Sequence, residues 1–510
     1  MSSSNKLIYK NTLYIYGRML FVIIVSLFSS RFVLHALGAS DYGLYNVVGG
    51  LIALFNILGT AMSTTTRRFV NIEMGKPDGN INRVFNVCLF LHISFAVLIF
   101  LIAETIGVWY INNILRVAEG KLGDAMFVFQ FSTIVACLGI INIPYASLIE
   151  ANEQFGKSAL IDIVVNIIKF VLVIVLLYYH GNAIRFYALS MCLASLLSFV
   201  MYHMVCYRNW SEVIRLRVYK KSSLYKDIFF FNNYIALGAA SSIAQTQGSN
   251  MIVNLFFGTV VNAAFAVAYQ VQSAVYMFVN KLTLASYPQV TINYSGSNMM
   301  RVNELVENNS RICILIMILL FFPLISEMDY VLGLWLKDVP EGASLLCSLT
   351  LIQALIMSFS EGTNGYVQAS GKIKWFLIIS SLLSLSNLPV GYVLFKHGLE
   401  SYWIIICFII TSLLARINSL YLMHKLLGFN VMHYLKVAYI PPLKVIVIMV
   451  AIVVAYQKIF ADGDAFHLVG IFFVFIITAF LVFFIGLTGG ERTSLISFFN
   501  NKLLKYIKLS

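Results

Sequence analysis

The chain has 510 residues, of which 60% are hydrophobic and only 11% charged, with a formal net charge of +13; mean hydropathy is +0.85. A soluble chain carries about 25% charged residues, so this composition excludes a secreted enzyme, a nucleic-acid-binding domain and a disordered chain. A bilayer-spanning helix uses about 20 mostly apolar residues, so 60% of 510 positions corresponds to on the order of fourteen spans.

Apolar windows between charge and Pro/Gly clusters predict spans at 12–36, 42–63, 84–106, 125–149, 159–179, 184–206, 229–257, 262–283, 312–335, 344–366, 375–395, 402–423, 437–457 and 467–487. Met1 to Lys10 is polar, and the apolar run after it is broken by Arg18 and Arg31 without a small-residue cleavage site, which reads as a retained first span and not a removed leader. All seven cysteines lie in or beside apolar runs with none close to another, so neither a metal site nor a disulfide framework is implied, and no cofactor is expected.

With the N-terminus in the cytoplasm, the cytoplasmic loops and tails hold about 23 of the 35 Lys and Arg, against about six outside. The positive-inside rule then puts both termini in the cytoplasm. The longest loops, at 64–83, 207–228 and 284–311, fall on that same side, and the middle one is strongly basic (Arg208, Arg215, Arg217, Lys220, Lys221, Lys226).

Landmarks recur at an offset of about 220 residues. The hinge Leu37-Gly38-Ala39-Ser40 matches Phe257-Gly258-Thr259-Val260, Ala151 to Lys157 answers Ala369 to Lys374, and His180-Gly181 answers His397-Gly398. Six helices per repeat is an even number, so both copies enter the membrane in one orientation, around a central cavity. The expected architecture is an all-α integral membrane protein of two parallel six-helix repeats plus a C-terminal pair. Its parts are a first lobe at 1–206, a basic linker at 207–228, a second lobe at 229–424, the pair at 437–487 and an amphipathic tail at 488–510 lying on an anionic leaflet.

Polar groups are costly in lipid, so their placement marks helix faces that look at protein or water. Asn56, Thr60, Thr64 and Arg67 make one stripe on span two; spans seven and eight carry Gln245, Asn250, Tyr269, Gln272 and Tyr276 among many others. Amides, hydroxyls and aromatic rings suit a sugar, and Asn56, Thr60, Gln245, Asn250, Tyr269, Gln272 and Tyr276 are the candidate sugar contacts; helix-to-helix pairing is the plainer account of any one of them. Among the intramembrane charges, Arg18, Arg31, Lys169, Lys281 and Arg416 outnumber the carboxylates, which points to an anionic group such as a diphosphate or acidic sugar. Asp162, Asn166 and Lys169 share a face of span five, but Asp162 and Lys169 are about 10 Å apart along the axis, too far for a direct ion pair. Their partners must come from other helices. Asp162 and Glu361 are the candidate ion-coupling carboxylates, while Glu327 and Asp329 fall near the outer surface.

The hinge Leu37-Gly38-Ala39-Ser40-Asp41-Tyr42-Gly43-Leu44-Tyr45, the Ala151-Asn152-Glu153-Gln154-Phe155-Gly156-Lys157 run before span five and the six, six, two pattern of spans resemble the O-antigen and capsule-type polysaccharide flippases of the multidrug/oligosaccharidyl-lipid/polysaccharide exporter superfamily. The resemblance covers nearly the whole chain. It implies a non-enzymatic transporter that moves an undecaprenyl-diphosphate-linked oligosaccharide from the cytoplasmic to the periplasmic leaflet by alternating access. Its partners would be the lipid-linked oligosaccharide, membrane lipid and the pathway's glycan polymerase or glycosyltransferases, with no nucleic acid. It also implies a cation-lined cavity, in agreement with Arg18 and Arg31. The second hinge lacks the acidic residue, so a role for Asp41 belongs to the first repeat alone. A cation-coupled drug exporter of the same fold would call for an acid-rich cavity, and a membrane glycan polymerase or ligase for a large outer loop; neither fits this sequence as well.

Overall fold

The computed structural model describes residues 3–53, 56–113, 120–220, 223–336, 339–459, 467–493 and 496, and within these the side chains of Arg31 and Asn56 lie outside the described set, as does most of the expected 488–510 tail. The described residues form helices and turns, with no strand among them. In chain order these are α1 (Ser3–Ala53), α2 (Asn56–Met74), α3 (Ile81–Ile102) continued by a π-turn (Ala103–Gly107) into α4 (Val108–Asn113), α5 (Leu122–Ala151), α6 (Phe155–Leu177), α7 (Ala183–Ile214) and α8 (Leu224–Ser295). There follow α9 (Met299–Ser326), α10 (Met328–Trp335), α11 (Ala343–Ser370), α12 (Lys374–Lys396), α13 (Trp403–Leu427), α14 (Val431–Tyr434) with a π-turn (Leu435–Tyr439), α15 (Ile440–Ile459) and α16 (His467–Leu481) with a π-turn (Val482–Gly486).

Both hinges are real breaks. Gly38 interrupts α1 at φ 72°, ψ 168° and Gly258 interrupts α8 at φ 76°, ψ −169°. That region of backbone space is essentially reserved for glycine. Taken on either side of the two breaks, the long helical segments among the described residues follow the expected order of spans. Ten of the described helical stretches are long and apolar enough to cross a bilayer by themselves.

Three loops are shorter than hydropathy suggests. Charge marks where a span leaves the lipid, but the helix continues past that point: α2 runs to Met74, α7 to Ile214 and α8 to Ser295. For the same reason the ninth span starts earlier than 312, at Met299, and it stops at Ser326, where Glu327 leaves the helix at φ −137°, ψ 41° and α10 begins anew.

The chain divides into two compact units, Lys6–Ala239 and Ala240–Ser510, the latter with Met1–Asn5. The division falls inside α8, beyond the expected 207–228 linker, whose residues 207–214 and 224–228 belong to α7 and α8.

In the first unit two cores stack along the bundle. One, at the hinge end, gathers Val33, Leu37, Val48, Val128, Phe129, Leu176 and Ile184; the other gathers Val84, Phe85, Cys88, Leu148, Ile149, Ile161 and Tyr202. In the second unit α9 is the central post. In its apolar window 67% of residues are buried, against 17% for α16, whose Phe472, Phe473, Ile476 and Phe480 stay exposed. Such outward apolar faces are what a lipid solvent permits. The C-terminal pair α15 and α16 packs on α9.

Candidate functional site

In the first unit the partner that Asp162 needs comes from α1. Arg18 Nη1 donates to Asp162 Oδ2 at 2.7 Å, and Tyr202 on α7 donates its hydroxyl to Oδ1 at 2.9 Å. Three helices thus meet on one carboxylate. Asn166, one turn along α6, spends its amide on the Asp162 carbonyl at 2.8 Å. Lys169, on the same face, has an electrostatic interaction with Asp162 but no hydrogen bond among the described residues. The Arg18 and Asp162 side chains keep 16% and 29% of their surface exposed, so the pair is accessible. Nearby, Arg67 on α2 pairs with Glu150 on α5 at 3.1 Å, and Glu150 is close enough to act electrostatically on Asp162 and Tyr202. Across Arg18, Lys169 and Arg67 against Asp162 and Glu150, cations exceed carboxylates by one.

The hinge end carries a second ionic chain. Lys121, just before α5, reaches Asp41 at 2.8 Å and Asp124 at 3.6 Å, and Asp124 in turn receives Arg185 Nε at 2.7 Å and the Asn182 amide at 2.9 Å. The hydrogen bond that Lys121 donates to Asp41 leads the effects that raise the Lys121 ammonium above its ordinary pKa, with desolvation opposing.

In the second unit α8 and α11 share their polar side chains. Tyr276 donates to Glu361, which also bonds Asn364, and Gln272 donates to the Thr350 carbonyl at 3.0 Å and to Gln353 at 2.9 Å. These bonds commit two of the candidate sugar contacts to helix pairing. Next to Glu361, Gly362 lets α11 press on α9: a methyl there would sit 2.3 Å from the Ser310 backbone nitrogen. Tyr269 Oη and Asn250 Oδ1 are buried without a partner among the described residues. Gln245 and Lys281 are half-buried and Thr60 is exposed.

Arg416 is enclosed. Its Nε donates to the Tyr439 hydroxyl at 2.5 Å, Nη1 to Thr363 at 2.9 Å and Nη2 to the Tyr434 hydroxyl at 3.1 Å. Tyr434 passes its own proton to Ser310 at 2.8 Å and Tyr439 to the Phe359 carbonyl at 2.7 Å. No carboxylate bonds Arg416 among the described residues; the charge is spread over hydroxyl lone pairs and two tyrosine faces. This ties α13 to α11, α14 and α9.

Sequence reasoning missed the anchors of the C-terminal pair. Arg311 on α9, 1% exposed, donates to Glu491 at 2.5 Å, to Asn308 at 2.7 Å and to the Val437 carbonyl at 3.1 Å. Glu491 also accepts the Thr488 amide and hydroxyl, both at 2.8 Å, in a Thr-x-x-Glu arrangement that was legible as a helix-start signal. Sixteen residues along α9, about 24 Å, Glu327 accepts Tyr456 at 2.6 Å and pairs with His467 at 2.7 Å. Glu327 therefore holds the pair in place.

The model of the family described as polysaccharide biosynthesis protein matches residues 8–291. No curated protein sequence matches the chain. Among solved structures, a MATE transporter in its bent conformation is similar over 86% of this chain and 97% of its own, with a TM-score of 0.70 and 15% identity. A transporter of the MOP superfamily from Pyrococcus furiosus, whose binding pocket is described as having reverse polarity, matches over 82% and 96% with a TM-score of 0.65 and 15% identity. The MATE transporter ClbM, solved with Rb+, matches over 81% and 94% with a TM-score of 0.65 and 18% identity. The family match covers more than half of the sequence and the structural matches fix the fold, so the chain belongs to the polysaccharide biosynthesis protein family and is a multi-pass membrane protein with the MOP-superfamily transporter fold.

Proposed function

We propose that the protein is a flippase that moves an undecaprenyl-diphosphate-linked oligosaccharide from the cytoplasmic to the periplasmic leaflet of the bacterial inner membrane by alternating access, with both termini in the cytoplasm. The observation that carries the reading is the excess of cation over carboxylate around Asp162: Arg18, Lys169 and Arg67 stand against Asp162 and Glu150, and Arg18 remains partly exposed. A net positive charge inside a span is expensive unless something neutralises it. A diphosphate does so with charge-assisted hydrogen bonds. Arg31, Lys281 and the polar positions Asn56, Thr60, Gln245, Asn250 and Tyr269 stay candidates for the same path; Arg416, Gln272 and Tyr276 are better described as holding helices together. Glycosyltransferases or a polymerase of the pathway would supply and consume the cargo.

The second reading, a cation-coupled exporter of small molecules, draws on Glu361, a buried carboxylate held by neutral groups and so free to take a proton or Na+. Asp162, already committed to Arg18 and Tyr202, is the weaker coupling group. The readings separate in the strain that carries this chain, compared with its deletion. Losing a hydrogen bond between charged groups costs about 1.5–3 kcal/mol, so Arg18→Ala should lower surface glycan by roughly 10- to 100-fold, with Arg18→Ala/Asp162→Asn as the variant that leaves no orphaned carboxylate. Normal glycan display in both variants at wild-type membrane levels, or drug sensitivity without a glycan defect on deletion, would reject the flippase assignment.

A further inference from the structure

The connector that leaves α7 is held in a fixed path. After Ile214 the chain exits the helix at Arg215 (φ −58°, ψ 121°). Asn82 on α3 donates its amide to the carbonyls of Glu212, Val213 and Arg215 at 2.9, 2.8 and 2.8 Å. Asn86, fully buried one turn further, donates to the Arg215 carbonyl at 3.0 Å and accepts the Arg217 amide at 3.1 Å, so one side-chain amide engages the carbonyl of one residue and the N–H two residues on, as a neighbouring strand would. Tyr219 then donates its hydroxyl to Asn82 at 3.0 Å.

What this pinned backbone presents is unusual. Arg215, Arg217 and Lys220 are exposed, and between them Leu216 is 68% and Val218 is 63% exposed. A loop that merely obeyed the positive-inside rule would need cations only; it would need neither a clamped backbone nor two large apolar side chains beside them. Asn82 and Asn86 stand where α3 enters its apolar stretch, so the connector they hold runs level with that end of the span, at the leaflet surface. Cations for phosphate oxygens interleaved with apolar side chains for the acyl boundary are the chemistry of an interfacial contact.

We propose that residues 215–220 form a preshaped docking edge for anionic phospholipid headgroups of the adjoining leaflet, with Arg215, Arg217 and Lys220 on the phosphates and Leu216 and Val218 inserted beside them. The charge complementarity favours a lipid over an acidic protein, because the apolar side chains fit the acyl boundary directly.

The test uses the full chain purified in mild detergent, offered an equal mixture of phosphatidylglycerol and phosphatidylcholine, with retained lipids counted by native mass spectrometry. The wild type should keep phosphatidylglycerol in preference, and added salt should weaken that preference. In R215Q/R217Q/K220Q each lost cation should lower phosphatidylglycerol retention by roughly fivefold while leaving phosphatidylcholine unchanged. L216S/V218S, which keeps every cation, should lower retention of both lipids; it also gives an independent reading if the triple variant fails to fold. Equal retention of the two lipids by the wild type, or undiminished phosphatidylglycerol on a folded triple variant, would overturn the proposal, and in the first case binding of an acidic partner protein would be the alternative to pursue.

Discussion

Gly38 in the first half and Gly258 in the second break their helices with nearly the same torsions, φ 72° and 76°, and the likeness continues downstream. Asn80 caps α3 by accepting the Arg83 amide and Asn298 caps α9 by accepting the Arg301 amide, while Glu153 and Gly371 both take the left-handed conformation at the turn into the next helix (φ 57° and 75°). The charges do not follow. At the hinge offset of 220 (258 − 38), Arg18 falls on Gly238 and Asp41 on Val261; at the cap offset of 218 (298 − 80), Asp162 falls on Ser380 and Glu361 on Ile143. Breaks and caps are backbone requirements that any copy of the scaffold must meet. An ionised group in a span needs a particular partner and a reason to be there, so each half carries its own. The first half has an accessible Arg–Asp–Tyr meeting point; the second has a Glu held by Tyr and Asn and an Arg enclosed by hydroxyls.

The comparison breaks hardest where the second half has no counterpart at all, at the C-terminal pair. Breaking a buried ion pair costs about 3–5 kcal/mol, and the lower end suits Arg311, whose Glu491 partner keeps 18% exposure. Arg311→Ala should therefore lower the thermal midpoint of the purified protein far more than Arg18→Ala does, and protease cleavage should appear between α15 and the tail; equal midpoints would show that the pair is not anchored through α9. The shared hinges call for equal effects. An L side chain in the conformation of Gly38 or Gly258 costs on the order of 1–3 kcal/mol, so Gly38→Ala and Gly258→Ala should destabilise by similar amounts in the same melting assay. Apart from the adjoining chain, neither glycine has an atom of the described residues within 4 Å of a Cβ placed on it, so the penalty is torsional and not steric. A large difference would mean that one hinge relaxes to another backbone state.

These differences explain what the sequence could and could not reveal. Gly38 and Gly258 were legible because a backbone break constrains residue type locally, and the span order was legible because lipid makes hydropathy nearly sufficient. Helix ends were not, since charged residues mark the bilayer surface and not the end of hydrogen bonding: Arg301 and Glu304 continue α9 outside the apolar stretch. The spacing on α6 showed that Asp162 needed a partner from elsewhere, but Arg18 is 144 positions away and only packing of α1 on α6 selects it. Arg416 read as one more intramembrane cation because tyrosine hydroxyls from α14 and the following π-turn carry no sequence mark as its acceptors.

The smallest effect, and the one that most sharpens the contrast between the halves, lies at the first hinge. Asp41 pairs with Lys121, whose side chain is 35% exposed, so the contact is worth no more than about 1 kcal/mol. Its leverage is positional: it fastens the residues just after Gly38 to the chain of Lys121, Asp124 and Arg185 that joins α5 and α7, and Val261 offers nothing comparable after Gly258. Asp41→Asn should leave the melting midpoint nearly unchanged while speeding amide hydrogen exchange after the first hinge and not after the second. The pH dependence has a definite sign. The Lys121 pKa is raised in the folded protein, chiefly by the hydrogen bond it donates to Asp41, so the pair's contribution is complete below the ordinary lysine pKa and is lost as pH rises through the elevated value. Wild-type exchange at the first hinge, corrected for the intrinsic rate, should then approach that of Asp41→Asn only at strongly alkaline pH; identical exchange in the two proteins at neutral pH would show that the first hinge is as unfastened as the second.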